Sequence, residues 1–120
     1  MAVVKGITKE GEELRNYLKE TKTFLTYVAK EGNLAITKYK KVKNNNENSL
    51  LDIEIKTGRK NQIRVQLANI NHPIIGDYKY GDQKQDRLML NAYYLELYDI
   101  NNKKKIFKIE NPKIFNYYLK

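Results

Sequence analysis

The sequence predicts an α+β fold, a largely antiparallel or mixed β-sheet with one central helix and short helices elsewhere. Three observations lead there. Residues 49–57 alternate Leu51, Ile53 and Ile55 against Asp52, Glu54 and Lys56, the two-residue period of a strand with one dry and one wet face. At Asn61 the period changes, and Ile63, Leu67 and Ile70 fall at i, i+4 and i+7, the apolar stripe of a helix. Much of the remaining chain consists of short β-branched and aromatic runs separated by turn residues.

In chain order, residues 2–5 are a short apolar run stopped by Gly6, expected as the end of a strand whose beginning is missing. Residues 10–18 set Leu14 and Leu18 four apart behind Glu10, Glu12 and Glu13, which suits a short helix or helical turn. Residues 23–28, with Phe24, Thr26 and Val28 on one side and Leu25 and Tyr27 on the other, and residues 34–42 are expected as strands joined by a turn at Glu31-Gly32-Asn33. The polar run 43–48 is expected as an exposed loop. After the strand 49–57, Gly58 turns the chain into the central helix, with Asn61 placed to cap its first turn and His72-Pro73 to end it. Residues 76–82 form a glycine-bracketed loop. Residues 91–98 and 104–109 are strands around the turn Asn101-Asn102-Lys103, and past Pro112 residues 113–120 suit a short terminal helix.

At 120 residues with 41% hydrophobic content the chain supplies one modest core, hence one domain or part of one. No stretch approaches the roughly 20 apolar residues of a membrane span, and residues 1–4 are too short for a signal-peptide apolar region. A soluble, cytoplasmic protein without a membrane partner is expected. There is no cysteine and one histidine, so neither a disulfide framework nor a metal site is expected. The net charge of +9 points to nucleic acid, because clustered Lys and Arg release counterions condensed on phosphates. The same charge is also what a merely Lys-rich chain carries. Arginine use is more specific: of Arg15, Arg59, Arg64 and Arg87, two lie five residues apart in the strand-to-helix segment 56–68. Arg64 borders the apolar stripe, one position from Ile63 and about one turn from Leu67. A guanidinium there needs a carboxylate to take its hydrogen bonds. No Asp or Glu stands at helical spacing, so the partner is distant in sequence or absent.

The blocks TGRKNQIRVQLA (57–68), NHPIIGDYKYG (71–81) and RLMLNA (87–92) resemble, in order and spacing, the RluA-type pseudouridine synthases, which modify uridines in RNA. AVVKG (2–6) and AITKY (35–39) extend a weaker similarity over nearly the whole chain. The resemblance implies part of a pseudouridine synthase catalytic domain that isomerises uridine in ribosomal or, second, transfer RNA, with no metal or cofactor. It makes Arg64 the catalytic arginine that pairs with a nucleophilic aspartate. That aspartate and a base-stacking tyrosine belong to a block upstream of AVVKG, so residues 1–120 are expected to be the C-terminal portion of a single catalytic domain, inactive alone. A non-catalytic RNA-binding module on the same scaffold is the alternative.

Arg59, Lys60, Gln62 and Lys79 are the expected RNA contacts, and Asn61, His72, Asp77, Tyr80 and Asn91 the expected structural residues near the site. For Asp77, in the family's Gly-Asp pair, an Asx-type turn bonding its own backbone is the commoner role. For His72 it is a hydrogen bond fixing the helix exit. Lys60-Asn61, Gln66 and Asn91 stand where the family usually carries a Thr/Ser-His pair, a His and a His, which bears on substrate preference more than on reaction class. A sheet cut short in this way is also expected to expose an edge and self-associate.

Overall fold

The structure, a computed structural model, describes residues 1–83 and 87–120. Strands β1 (Ala2–Lys5), β2 (Gly11–Glu20), β3 (Thr26–Ala29), β4 (Asn33–Asn44) and β5 (Asn48–Ile55) form one antiparallel sheet in the order β1-β5-β4-β2-β3. Helix α1 (Gln62–Asn69) packs against β2, β3 and β4. Strands β6 (Tyr94–Tyr98) and β7 (Lys104–Lys108) pair as a separate hairpin, and α2 (Ile114–Tyr117) is a single turn near the C-terminus. The α+β expectation therefore holds, and the main sheet is wholly antiparallel.

Residues 11–20 are a strand and not a helix. Leu14 and Leu18 lie four apart, a spacing that serves a two-residue period as well as a helical one. The residue that decides between them is Asn16: in β2 it shares the inner face with both leucines, where its Oδ1 accepts a hydrogen bond from Gln66 Nε2 at 3.0 Å. The segment 43–48 is not an open loop either. β4 continues to Asn44 and β5 begins at Asn48, with Asn45 Oδ1 accepting from the backbone N–H of Glu47 and Asn48 in the turn between them. Residues 23–25 belong to the β2–β3 turn and not to β3.

The main core joins Val3, Val4, Leu51, Leu67, Ile74 and Met89, all fully buried. In β5 both Leu50 and Leu51 are buried, so that end of the strand is covered on both faces, while Ile55 is half exposed beyond the edge of the core. The outer edge of β1, expected to be open, is engaged: Val3 N–H donates to Met89 O, Ile75 N–H to Val3 O and Lys5 N–H to Pro73 O. The segments on either side of the Gly76–Asp82 loop thus continue the sheet past β1. By contrast, every residue of strands β6 and β7 is exposed. Among the described residues no helix is long and apolar enough to cross a membrane.

Candidate active site

The strand-to-helix segment is held by amide side chains. Gln62 Oε1 accepts from Thr57 Oγ1 (2.7 Å) and from the backbone N–H of Arg59 (3.0 Å), while its Nε2 donates to Ile36 O (3.0 Å) and Thr37 Oγ1 (2.8 Å). One turn on, Gln66 accepts from Thr37 Oγ1 and donates to Leu14 O, Asn16 Oδ1 and Ala35 O. Gln62, Gln66 and Thr37 are buried, so this polar layer between α1 and the sheet is satisfied inside the protein. It fixes the rotation of the helix: Gln62, Val65, Gln66 and Leu67 face the sheet. The stripe expected from Ile63 and Ile70 only flanks it, since both are partly buried.

That rotation places Arg64 at the margin, its side chain 21% exposed, opposite an Asp77 carboxylate with no exposure at all. Nε donates to Asp77 Oδ2 at 2.9 Å and Nη2 to Oδ1 at 2.7 Å, a two-pronged charge-assisted pair. The hydrogen bond to Asp77 holds the guanidinium even more firmly protonated than usual, against the opposing effect of burial. Nη1 donates to Asn61 Oδ1 at 3.3 Å, and the Tyr80 ring lies 5.1 Å from Arg64 Cζ. A guanidinium has five N–H donors. Among the described residues three are engaged, leaving one on each Nη for a second acceptor.

The Asp77 loop is itself tied down. Asp77 O accepts from the N–H groups of Tyr80, Gly81 and Asp82, and Asp82 Oδ2 accepts from Gly76 N–H at 2.7 Å. Asp82 also pairs with Lys5 at 3.2 Å, and the His72 ring is hydrogen bonded through Nδ1 to Lys5 O at 2.8 Å. Asp77 is therefore no Asx-type turn closing on its own backbone; its carboxylate serves Arg64, and Asp82 performs the local closure.

Asn61 does not cap the helix with its side chain. It sits in the left-handed region at φ 54°, which Asn tolerates, and its amide bridges Arg64 and the Tyr80 hydroxyl (3.3 Å). Tyr80 Oη also accepts the Thr26 N–H at 3.1 Å, joining β3 to the site. Sequence reasoning missed Thr26, and no periodic signal pointed to it. Gln62 is corrected: buried, with its amide engaged internally, it offers RNA nothing. Arg59, Lys60 and Lys79 are exposed. Arg59 Nε is anchored on Leu34 O, and Lys60 pairs with Glu20 at 3.0 Å. Asn91 is separate from this cluster, with its side chain on Asn111 and its backbone on Met1. Among the described residues no group of His, Cys, Asp and Glu is arranged to hold a metal ion.

The RNA pseudouridylate synthase family profile matches residues 1–69, more than half of the 120, and the chain belongs to that family. It is 42% identical over 102 residues to an uncharacterized RNA pseudouridine synthase of Helicobacter pylori, covering 81% of this chain and 42% of that protein. It is 41% identical over 92 residues to ribosomal large subunit pseudouridine synthase D of Borreliella burgdorferi, covering 73% of this chain and 28% of the relative. Human RNA pseudouridylate synthase domain containing 1 shares the fold, with a TM-score of 0.82 at 19% identity over 92% of this chain and 53% of that one. The chain thus spans less than half the length of these two bacterial relatives.

Proposed function

We propose that this chain supplies the arginine side of an RNA uridine isomerase site. In that reaction the C1′–N1 bond of a uridine breaks, the uracil turns, and a C1′–C5 bond forms. The C5 proton is lost and N1 gains one, so no redox partner is needed. The observation that carries the reading is the state of Arg64: Asp77 and Asn61 hold its Nε and one hydrogen on each Nη, and among the described residues one hydrogen on each Nη has no acceptor and can serve another carboxylate. An arginine so held aims a nucleophilic aspartate and keeps it ionised. Asp77 is fully buried in its ion pair, Asp52 accepts from Tyr93 Oη, and Asp82 is closed onto Gly76 and Lys5, so none of these three is the nucleophile. Asp99 Oδ1 accepts from the Asn101 and Lys103 N–H groups in the β6–β7 turn, Asp86 lies outside the described residues, and the nucleophile is sought in the upstream block that the family resemblance implies. Ribosomal RNA is the first substrate to test, given the name of the Borreliella relative.

The test is tritium release from RNA labelled at C5 of uridine, using the full gene product and its Arg64→Lys variant. Lys keeps the charge but loses the two-pronged geometry, and a loss of roughly 100-fold or more is expected, on the scale of losing one aimed electrostatic donor. Undiminished release by Arg64→Lys would refute the role of Arg64. Binding of RNA with no release by the wild type would favour the non-catalytic module. Release by the 120-residue chain alone would refute the external nucleophile.

A further inference from the structure

The β2–β3 turn presents a second feature, on the rim of the Arg64 cluster. Phe24 N–H donates to Thr21 O (3.0 Å), Thr21 N–H to Leu25 O (2.8 Å) and Leu25 N–H to Thr21 Oγ1 (3.0 Å), a tight turn whose last residue, Phe24, adopts φ 65°. That left-handed position is one where such hairpin loops ordinarily use Gly or Asn, because a bulky side chain crowds its own backbone there. Strain of this kind persists where function requires the side chain.

Phe24 is not buried in exchange. It is 67% exposed, and its ring lies beside a cation, Lys60 Nζ, 4.9 Å from the centroid. Core packing therefore explains neither the residue nor its conformation. Its location is specific: Thr26, two residues on and so within about 7 Å of chain, donates its N–H to Tyr80 Oη, whose ring lies against Arg64. Lys60, on the other side of Phe24, directly precedes Asn61, which bonds both Arg64 and Tyr80. Lys22, in the same turn, is exposed and adds a second positive charge.

We infer that Phe24, with Lys60, is a stacking post for a nucleobase of the single-stranded RNA flanking the uridine at Arg64. An exposed aromatic ring flanked by lysines is the chemistry that holds single-stranded nucleic acid without reading its sequence, the ring taking a base face and the ammonium groups the phosphates. A protein partner's acidic surface would use the lysines but has no need of a ring held in a strained conformation. The inference rests on the RNA reading above and adds a residue outside the family motif blocks.

The experiment measures binding of a short fluorescein-labelled single-stranded RNA to the 120-residue chain by anisotropy, for wild type, Phe24→Gly and Phe24→Trp, with thermal unfolding of each. Gly is at ease at φ 65°, so Phe24→Gly is expected to keep the wild-type melting temperature while binding roughly 5- to 150-fold more weakly, the factor equivalent to ~1–3 kcal/mol per stacked base at 1.36 kcal/mol per tenfold. Phe24→Trp, which restores a stacking face, is expected to bind at least as well as wild type. If wild type binds and Phe24→Gly binds equally, the stacking role is wrong while the RNA reading stands. If Phe24→Trp is as weak as Phe24→Gly, or Phe24→Gly unfolds, the ring is a fold element and the inference fails. If wild type binds no RNA, the stacking inference falls, while the isomerase reading is decided separately by tritium release with the full gene product.

Discussion

Deleting either partner of the Arg64–Asp77 pair is expected to have unequal consequences, and the inequality follows from their burial. Arg64→Ala strands a carboxylate whose side chain has no solvent exposure. Breaking a buried pair from that side costs about 3–5 kcal/mol, because the remaining charge has neither water nor a cation. Asp77→Ala strands a guanidinium that is 21% exposed, retains its bond to Asn61 and can turn its free Nη hydrogens to water. Its cost is nearer the worth of the lost charge-assisted hydrogen bonds, about 1.5–3 kcal/mol. The double variant removes both charges, so the two losses fall short of adding by about 1.5–3 kcal/mol. Urea unfolding followed by circular dichroism and tyrosine fluorescence measures all three, the chain having ten tyrosines and no tryptophan. Equal losses from the two single variants, or a coupling below about 0.5 kcal/mol, would refute the reasoning that the pair is the chief reason Asp77 can be buried.

Two further predictions test the surroundings of the site. A Cβ at Gly76, whose φ is +86°, would lie 2.3 Å from Arg87 O and 3.2 Å from Leu88 Cα; Gly76→Ala is expected to lose about 2–4 kcal/mol in the same urea assay, through backbone strain and a contact that only main-chain movement relieves. The Tyr39 hydroxyl is pushed well above the ordinary tyrosine range, first by burial and then by donating to Glu12 Oε2 at 2.6 Å. The folded state then holds that proton more tightly than the unfolded chain, so the stabilisation is complete below about pH 10 and is lost as pH rises through the folded value. Absorbance titration at alkaline pH should show Tyr39 among the last tyrosines to ionise, and Tyr39→Phe should flatten the alkaline decline in stability; an unchanged titration in Tyr39→Phe would contradict this.

Where local chemistry and tertiary burial agree, the sequence was legible. β5 was found from the alternation of Leu51, Ile53 and Ile55 with Asp52, Glu54 and Lys56, although its burial runs from a packed start to a wet end, and α1 because Gly58 and the period change mark its start. The family followed from the resemblance of the three spaced blocks 57–68, 71–81 and 87–92 to its motifs. Where a polar side chain is buried, the reading failed. Leu14 and Leu18, four apart behind Glu10, Glu12 and Glu13, suited a helix, yet residues 11–20 are a strand whose Asn16 faces inward onto Gln66. Gln62 looked like a surface contact for RNA, yet it stitches the helix start to β4.

The sequence by itself therefore determined β4, β5 and α1 beside the site, the family, and the need of Arg64 for a carboxylate, but not β2, which it set down as a helix. Only the tertiary structure decided that the carboxylate is Asp77, that Asn61 and Tyr80 complete its cradle, and that two donors are left over. The reason is physical: periodicity records which positions avoid water, while the partner of a buried charge is chosen by chain segments that meet only after the sheet, the helix and the Gly76–Asp82 loop have closed on one another.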